Sequence, residues 1–187
     1  QLIRLGRDYD GGYLVPVIAM ERSSTLISFG YGNDASFERH FINFRKGNEV
    51  YLFDDTSNFK SLFLKMVNDC FRRIVCNDLT AHPRLAIRNF FRFLPIIFAR
   101  RLHYQNLKLV GNYSHVPMKS INLKNSVGLH KNYVLKMDIE GGEYDLFSSF
   151  SDADLQKFEQ IVIELHSASR IDVLQRLCKT HWLVHFH

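Results

Sequence analysis

The stretch Tyr133 to Phe147, YVLKMDIEGGEYDLF, constrains this chain more than any other. It opens as an apolar run with β-forming residues, Tyr133, Val134, Leu135 and Met137. Asp138, Glu140 and Glu143 then crowd around Gly141-Gly142 before an amphipathic segment with Tyr144, Leu146 and Phe147. That order predicts a buried strand, an acidic turn and a helix. In open α/β sheets, ligands sit at the carboxyl ends of strands, where the turns splay apart and helix N-termini point into the crevice. Three carboxylates at such an edge are costly unless something cationic or rich in hydroxyls meets them. Asp138, at the strand end itself, is the first candidate site residue. Glu140 and Glu143 have a second reading, because acids in a helix's first turn favour its positive end.

Two earlier segments repeat the pattern. Thr25 to Phe29 reads as a short strand, Gly30-Tyr31-Gly32 as a tight turn, and SFERHFINF as a helix for which Asp34 or Ser36 is a competent N-cap. Strand, glycine turn and helix begin a nucleotide-binding α/β domain, in which glycine lets the backbone approach the ligand. A GxG pair also marks ordinary turns. No Lys-Ser or Lys-Thr follows, which argues against a phosphate-gripping loop, and the full GxGxxG is absent. About twenty residues on, Glu49 to Thr56, EVYLFDDT, is another strand, closing on Asp54-Asp55. A carboxylate there can accept two hydroxyls of a ribose diol, so Asp54 is the ribose candidate. Asp55 or Thr56 would cap the following helix, SNFKSLFLKMVNDCF.

The opening LIRLGRDYDGGYLVP reads as a hairpin turning at Asp10-Gly11-Gly12, a lid over one end of the sheet. Its Arg4, Arg7, Asp8 and Asp10 either face a ligand or are simply solvated. Phe71 to His103 is basic and aromatic, and Arg84, Arg88 and Arg92 recur every fourth residue on a helix expected to run to Pro95. It is longer than a crossover needs and so reads as an insertion. It is either a surface for a membrane, a lipid-linked substrate or a partner, or a crossover helix with snorkelling arginines. Asn106 to Tyr113 reads as a third strand ending at Gly111-Asn112, a turn that can lie beside an adenine. SSFSDADLQKFEQ carries Ser and Asp caps for a short helix. Ile161 to His166, IVIELH, is a fifth strand whose alternation puts Glu164 and His166 on one side. A histidine there joins the titratable cluster at Asp138. His185 and His187 alternate in the strand-like WLVHFH, but no ligand spacing fixes a geometry, so no metal is expected.

At 187 residues the chain is expected to be a single domain, 1–187. A net charge of +5 favours anionic partners, yet nothing has the glycine-aromatic pattern of an RNA-binding sheet, so nucleic acid is not expected. Cys70, Cys76 and Cys178 are an odd count without CxxC spacing, which favours a reducing, cytoplasmic setting. No apolar run is long enough to span a membrane, and no signal peptide is visible. Gln1 at the start and the strand-like end are the pattern expected of a fragment of a longer polypeptide.

Together, RLGRDYDGGYLVP, SFGYGND, YLFDD, LKMDIEGGEYDLF and IELH resemble the FkbM-type branch of S-adenosylmethionine-dependent methyltransferases. The DxEGxE run, Asp138, Glu140, Gly141 and Glu143, is the most specific piece, and the basic insert is least covered. The resemblance implies an α/β class I (Rossmann-like) three-layer sandwich, with a seven-stranded, mostly parallel sheet, here carrying an N-terminal hairpin and a helical insertion. It implies that Gly30 and Gly32 lie against the cofactor and that Asp54 takes the ribose hydroxyls, while Asp34, Gly111 and Asn112 are further cofactor-binding candidates by their place in the turns. Asp138 would lie by the methionine end or the reaction centre. Ser28 stands where the family has an acid, and Asp34 where it has a third glycine. The chemistry agrees, since S-adenosylmethionine carries a diol, an ammonium and a sulfonium but no phosphate. Methyl transfer to the hydroxyl of a sugar, glycan or small molecule needs alignment and a base, and Asp138 and His166 are the catalytic candidates. The departures at Ser28 and Asp34 leave a second reading, a non-catalytic binding or scaffolding module of the same fold.

Overall fold

Alternation along the central strands decides the layering. The structure, a computed structural model, describes residues 1–187 apart from 9–10, 31, 33, 55–58, 99, 107–132, 167–170 and 186–187. Five parallel strands form the main sheet: β3 (Thr25–Phe29), β4 (Glu49–Asp54), β5 (Leu102–Asn106), β6 (Tyr133–Met137) and β7 (Phe158–Ile163), in the spatial order β5-β4-β3-β6-β7. β6 is buried at every position and β3 at four of five, as expected of strands covered on both faces. Leu26, Val50, Leu52, Val134 and Val162 face one layer, with Phe37 and Phe41 of α2 (Ser36–Phe44), Leu62 of α3 (Phe59–Ile74) and Phe90 of α4 (Pro83–Ile97). Ile27, Phe29, Phe53, Leu135 and Met137 face the other, with Phe147 of α5 (Glu143–Ser149), Leu155 of α6 (Asp152–Leu155), and Val173 and Leu177 of α7 (Ile171–Leu177). The expected three-layer α/β architecture with an inserted helical segment is the one observed. Each fully buried Phe in it contributes about 1.5–3 kcal/mol of transfer free energy.

The N-terminal hairpin pairs β1 (Leu2–Leu5) antiparallel with β2 (Tyr13–Pro16). Its connection is wider than the tight turn expected around Asp10-Gly11-Gly12. Leu5 pairs with Tyr13, so the loop is residues 6–12, with Gly6 at φ +93° and Gly11 at φ +77°. A short helix the sequence reading missed, α1 (Val17–Arg22), leads from the hairpin to β3.

Several boundaries differ from expectation. α4 starts with Pro83, where a missing N–H costs nothing, and continues through Pro95 to Ile97. Pro95 withholds a donor from the carbonyl of exposed Phe91, and the Phe98 amide still bonds Leu94 O, so the last turn survives. The third strand is Leu102–Asn106, just upstream of the expected one, because the basic run conceals the alternation of buried Leu102, exposed His103 and half-buried Tyr104. The remainder of the expected Asn106–Tyr113 strand, with Gly111 and Asn112, lies outside the described residues. β7 begins and ends three residues earlier than IVIELH, which puts Glu164 and His166 in the loop beyond it. Residues 181–185 form no strand, so the main sheet has five strands among the described residues rather than seven. The three cysteines are free.

Candidate active site

Three backbone bonds carry the ladder one residue past the strands. The Gly30 amide donates to Phe53 O at 3.0 Å, Asp138 to Phe29 O at 3.0 Å, and Glu164 to Met137 O at 2.9 Å. Asp54 closes β4 at the same level, so Gly30, Asp54, Asp138 and Glu164 share one rim, the carboxyl ends of the strands. This is the edge at which parallel α/β sheets take ligands.

Gly30 is set by close packing. Its φ is +88°, and a Cβ there would come within 1.7 Å of Asp138 O. Its carbonyl accepts from Lys136 Nζ at 3.1 Å. Lys136 is 3% exposed and lies 3.4 Å from Glu38 Oε1, a carboxylate that also accepts from Ser28 Oγ at 2.5 Å. Thus Ser28 donates to a buried carboxylate brought in from α2. A buried lysine and glutamate persist because each meets the other's charge. The signal in the sequence was a lysine within the apolar run YVLKM, since a buried charge demands a partner.

Glu143 has no exposed surface. Its Oε1 accepts the Ile139 amide at 3.0 Å and the Gly141 amide at 3.2 Å, which holds the acidic turn with Glu140 at φ +53° and Gly141 at φ +99°. The same oxygen lies 2.7 Å from His166 Nδ1. Glu143 therefore clamps the turn upstream of its helix instead of serving only as a favourable first-turn charge. An ionised carboxylate only accepts, so Nδ1 carries hydrogen and Nε2 faces Asp138 Oδ1 at 3.9 Å and Glu140 Oε2 at 3.6 Å. Desolvation pulls the His166 pKa down, but the Glu143 hydrogen bond and the charges of Glu143, Glu140 and Glu164 outweigh it, and the net direction is up.

The hairpin reaches this rim. Tyr13 Oη donates to Glu164 Oε2 at 2.9 Å and lies 3.3 Å from Asp138 Oδ2. Burial, followed by the two carboxylates, raises its pKa far above the usual phenol value, so it remains a donor. Sequence reading had the lid but not this residue, because the contact joins positions 125 and 151 residues apart.

The remaining candidates divide. Gly32 has φ +52°, and a Cβ there would meet nothing within 4 Å among the described residues. Asp34 is 2.8 Å from Arg7 Nε and bonds the Ser36 amide and hydroxyl at 3.1 and 3.0 Å, while Ala35 takes the N-cap position. Asp54 is 2% exposed at the strand end. Asp10, Tyr31, Asn33, Asp55, Thr56, Gly111, Asn112 and His187 lie outside the described residues. One ligand atom from each of Asp138, Glu140 and His166 lies within 4.8 Å of the others, a spacing a divalent cation could bridge. A protonated His166 balances the same carboxylates without one.

A parallel α/β sheet with a glycine turn, strand-end carboxylates and an acidic loop has a counterpart among known families. The chain matches the methyltransferase FkbM domain over residues 19–179, which spans all five strands of the main sheet. No curated protein and no solved structure matches it. The chain belongs to the FkbM methyltransferase family.

Proposed function

We propose that the chain is an S-adenosylmethionine-dependent methyltransferase that acts on a hydroxyl of a sugar, glycan or small molecule, in the cytoplasm. The observation that carries this reading is the shared rim of Gly30, Asp54 and Asp138 at the ends of three adjacent parallel strands. The residues fit such a donor. No described residue lies against the Gly32 turn within 4 Å of a Cβ position, and the rim offers carboxylates suited to a diol, an ammonium and a sulfonium.

When bound, this donor supplies an activated methyl group on sulfur. The chain's own residues do the rest. Lys136 fixes the Gly30 carbonyl and with it the turn. Asp54 accepts the ribose hydroxyls, and Asp138 orders the groups around the reaction centre. His166 Nε2 takes the acceptor hydroxyl's proton, while the Nδ1 hydrogen bond to Glu143 fixes the tautomer and stabilises the imidazolium that forms. Tyr13 holds Glu164 beside Asp138, keeping that wall of the site in place.

The test is transfer of labelled methyl from S-adenosylmethionine into hydroxyl-bearing acceptors from a cell extract. The expected product is an alkali-stable ether, formed by the wild type and lost in His166→Gln. Label that appears only in esters or on nitrogen, or no transfer by folded protein, would overturn the reading.

A further inference from the structure

α3 is apolar on two opposite faces. Leu62 and Met66 pack into the core. On the opposite face, Leu64, Val67, Phe71 and Ile74 follow helical spacing and are exposed, Phe71 at 56% and Ile74 at 81%. The neighbouring α4 buries Ala86 and Phe90 and presents Arg84, Arg88 and Arg92 to solvent, with Ile87 and 60%-exposed Phe91 between them. Large apolar side chains exposed along a helix face in this way mark an interaction site.

Charge is segregated to the same place. Residues 59–101 hold nine of the 24 lysines and arginines but two of the 19 acids, a net +7, although Arg72 is paired with Asp78. The rest of the chain, with fifteen bases and seventeen acids, is at −2. We infer that the α3–α4 hairpin docks on a membrane surface containing anionic lipid. Its apolar side chains enter the boundary between headgroups and acyl chains, and its arginines meet lipid phosphates while their stems lie along the apolar layer. A second copy docked symmetrically on this face would set its exposed Arg84, Arg88 and Arg92 against the same cationic stripe, a juxtaposition that costs rather than stabilises. Nucleic acid would use the arginines but leave Leu64, Val67 and Ile74 in water. No helix among the described residues is long and apolar enough to cross a bilayer, so the contact is peripheral.

The experiment is co-sedimentation of the whole chain with vesicles of phosphatidylcholine alone or mixed with phosphatidylglycerol. Two variants are compared, Phe71→Ser with Ile74→Ser, and Arg84→Glu with Arg88→Glu and Arg92→Glu. The substituted side chains are exposed, and unchanged circular dichroism and denaturation midpoints establish that the fold is kept. The expected result is binding to the mixed vesicles that weakens with salt and falls by about tenfold or more in each variant. Failure to bind mixed vesicles, equal binding to both vesicle types, or binding unaffected by either variant would overturn the proposal. So would self-association abolished by Phe71→Ser with Ile74→Ser in a protein that ignores vesicles. No arm of the test depends on methyl transfer.

Discussion

His166 Nδ1 sits 2.7 Å from Oε1 of Glu143, a carboxylate with no exposed surface whose same oxygen gathers two amides of the acidic turn. One buried carboxylate thus fixes both the shape of the DIEGGE loop and the tautomer of the histidine beside it. A histidine so held stays protonated to higher pH than a free imidazole.

The pH profile follows from that sign. The base form of His166 accumulates only above its raised pKa, so kcat should fall as pH drops through a value higher than that of a free imidazole. Glu143→Gln keeps an oxygen for the Ile139 and Gly141 amides but removes the charge, and should move the acid limb to lower pH. An unmoved limb would mean that His166 is not the titrating base. The same raised pKa stabilises the fold below the unfolded imidazole's pKa, and this contribution is lost as pH rises through the folded value.

Lys136→Met should cost about 3–5 kcal/mol of stability, because it leaves Glu38 buried without its cation. Adding Glu38→Gln should restore a large part of that loss, measured by chemical denaturation. A double variant no more stable than Lys136→Met alone would show that the two residues are not coupled.

The two glycines of the first turn should separate. Gly30→Ala brings a Cβ within 1.7 Å of the Asp138 carbonyl at positive φ, and the protein should fail to accumulate in folded form. Gly32→Ala meets nothing within 4 Å among the described residues and should cost only about 1–2 kcal/mol for its left-handed backbone, while lowering donor affinity in a folded protein. Calorimetry and a denaturation curve on Gly32→Ala check both halves.

Tyr13→Phe removes a hydroxyl donor shared by Asp138 and Glu164 and should destabilise the protein by about 1.5–3 kcal/mol, the scale for hydrogen bonds to charged groups. It should also lower kcat/KM. A variant with wild-type stability and kinetics would remove Tyr13 from the site.

What the sequence disclosed and what it withheld divide along the range of the interactions. β3, β4 and β6 were legible because parallel strands covered on both faces are written as apolar runs, and the Ser and Asp caps of α6, which the structure realises as a Ser151–Asp154 capping box, because capping is local. The positions of Asp54, Asp138 and His166 near the sheet's carboxyl rim were legible because they stand at or just beyond strand ends. The Lys136–Glu38 pair was not, since it depends on α2 crossing the sheet where Ser28 faces it, and the Tyr13 contact required knowing where the hairpin lands. β5 was displaced because an arginine-rich run hid a short alternation, and α4 was cut at Pro95 although only one exposed carbonyl loses its donor there.

The most direct measurement is calorimetric titration of the purified chain with S-adenosylmethionine, beside Asp54→Ala. The account predicts one bound donor per chain, with affinity reduced by about tenfold or more in Asp54→Ala, the scale of hydrogen bonds to a charged acceptor. No heat of binding from a folded wild type, or equal affinity in the two proteins, would contradict it.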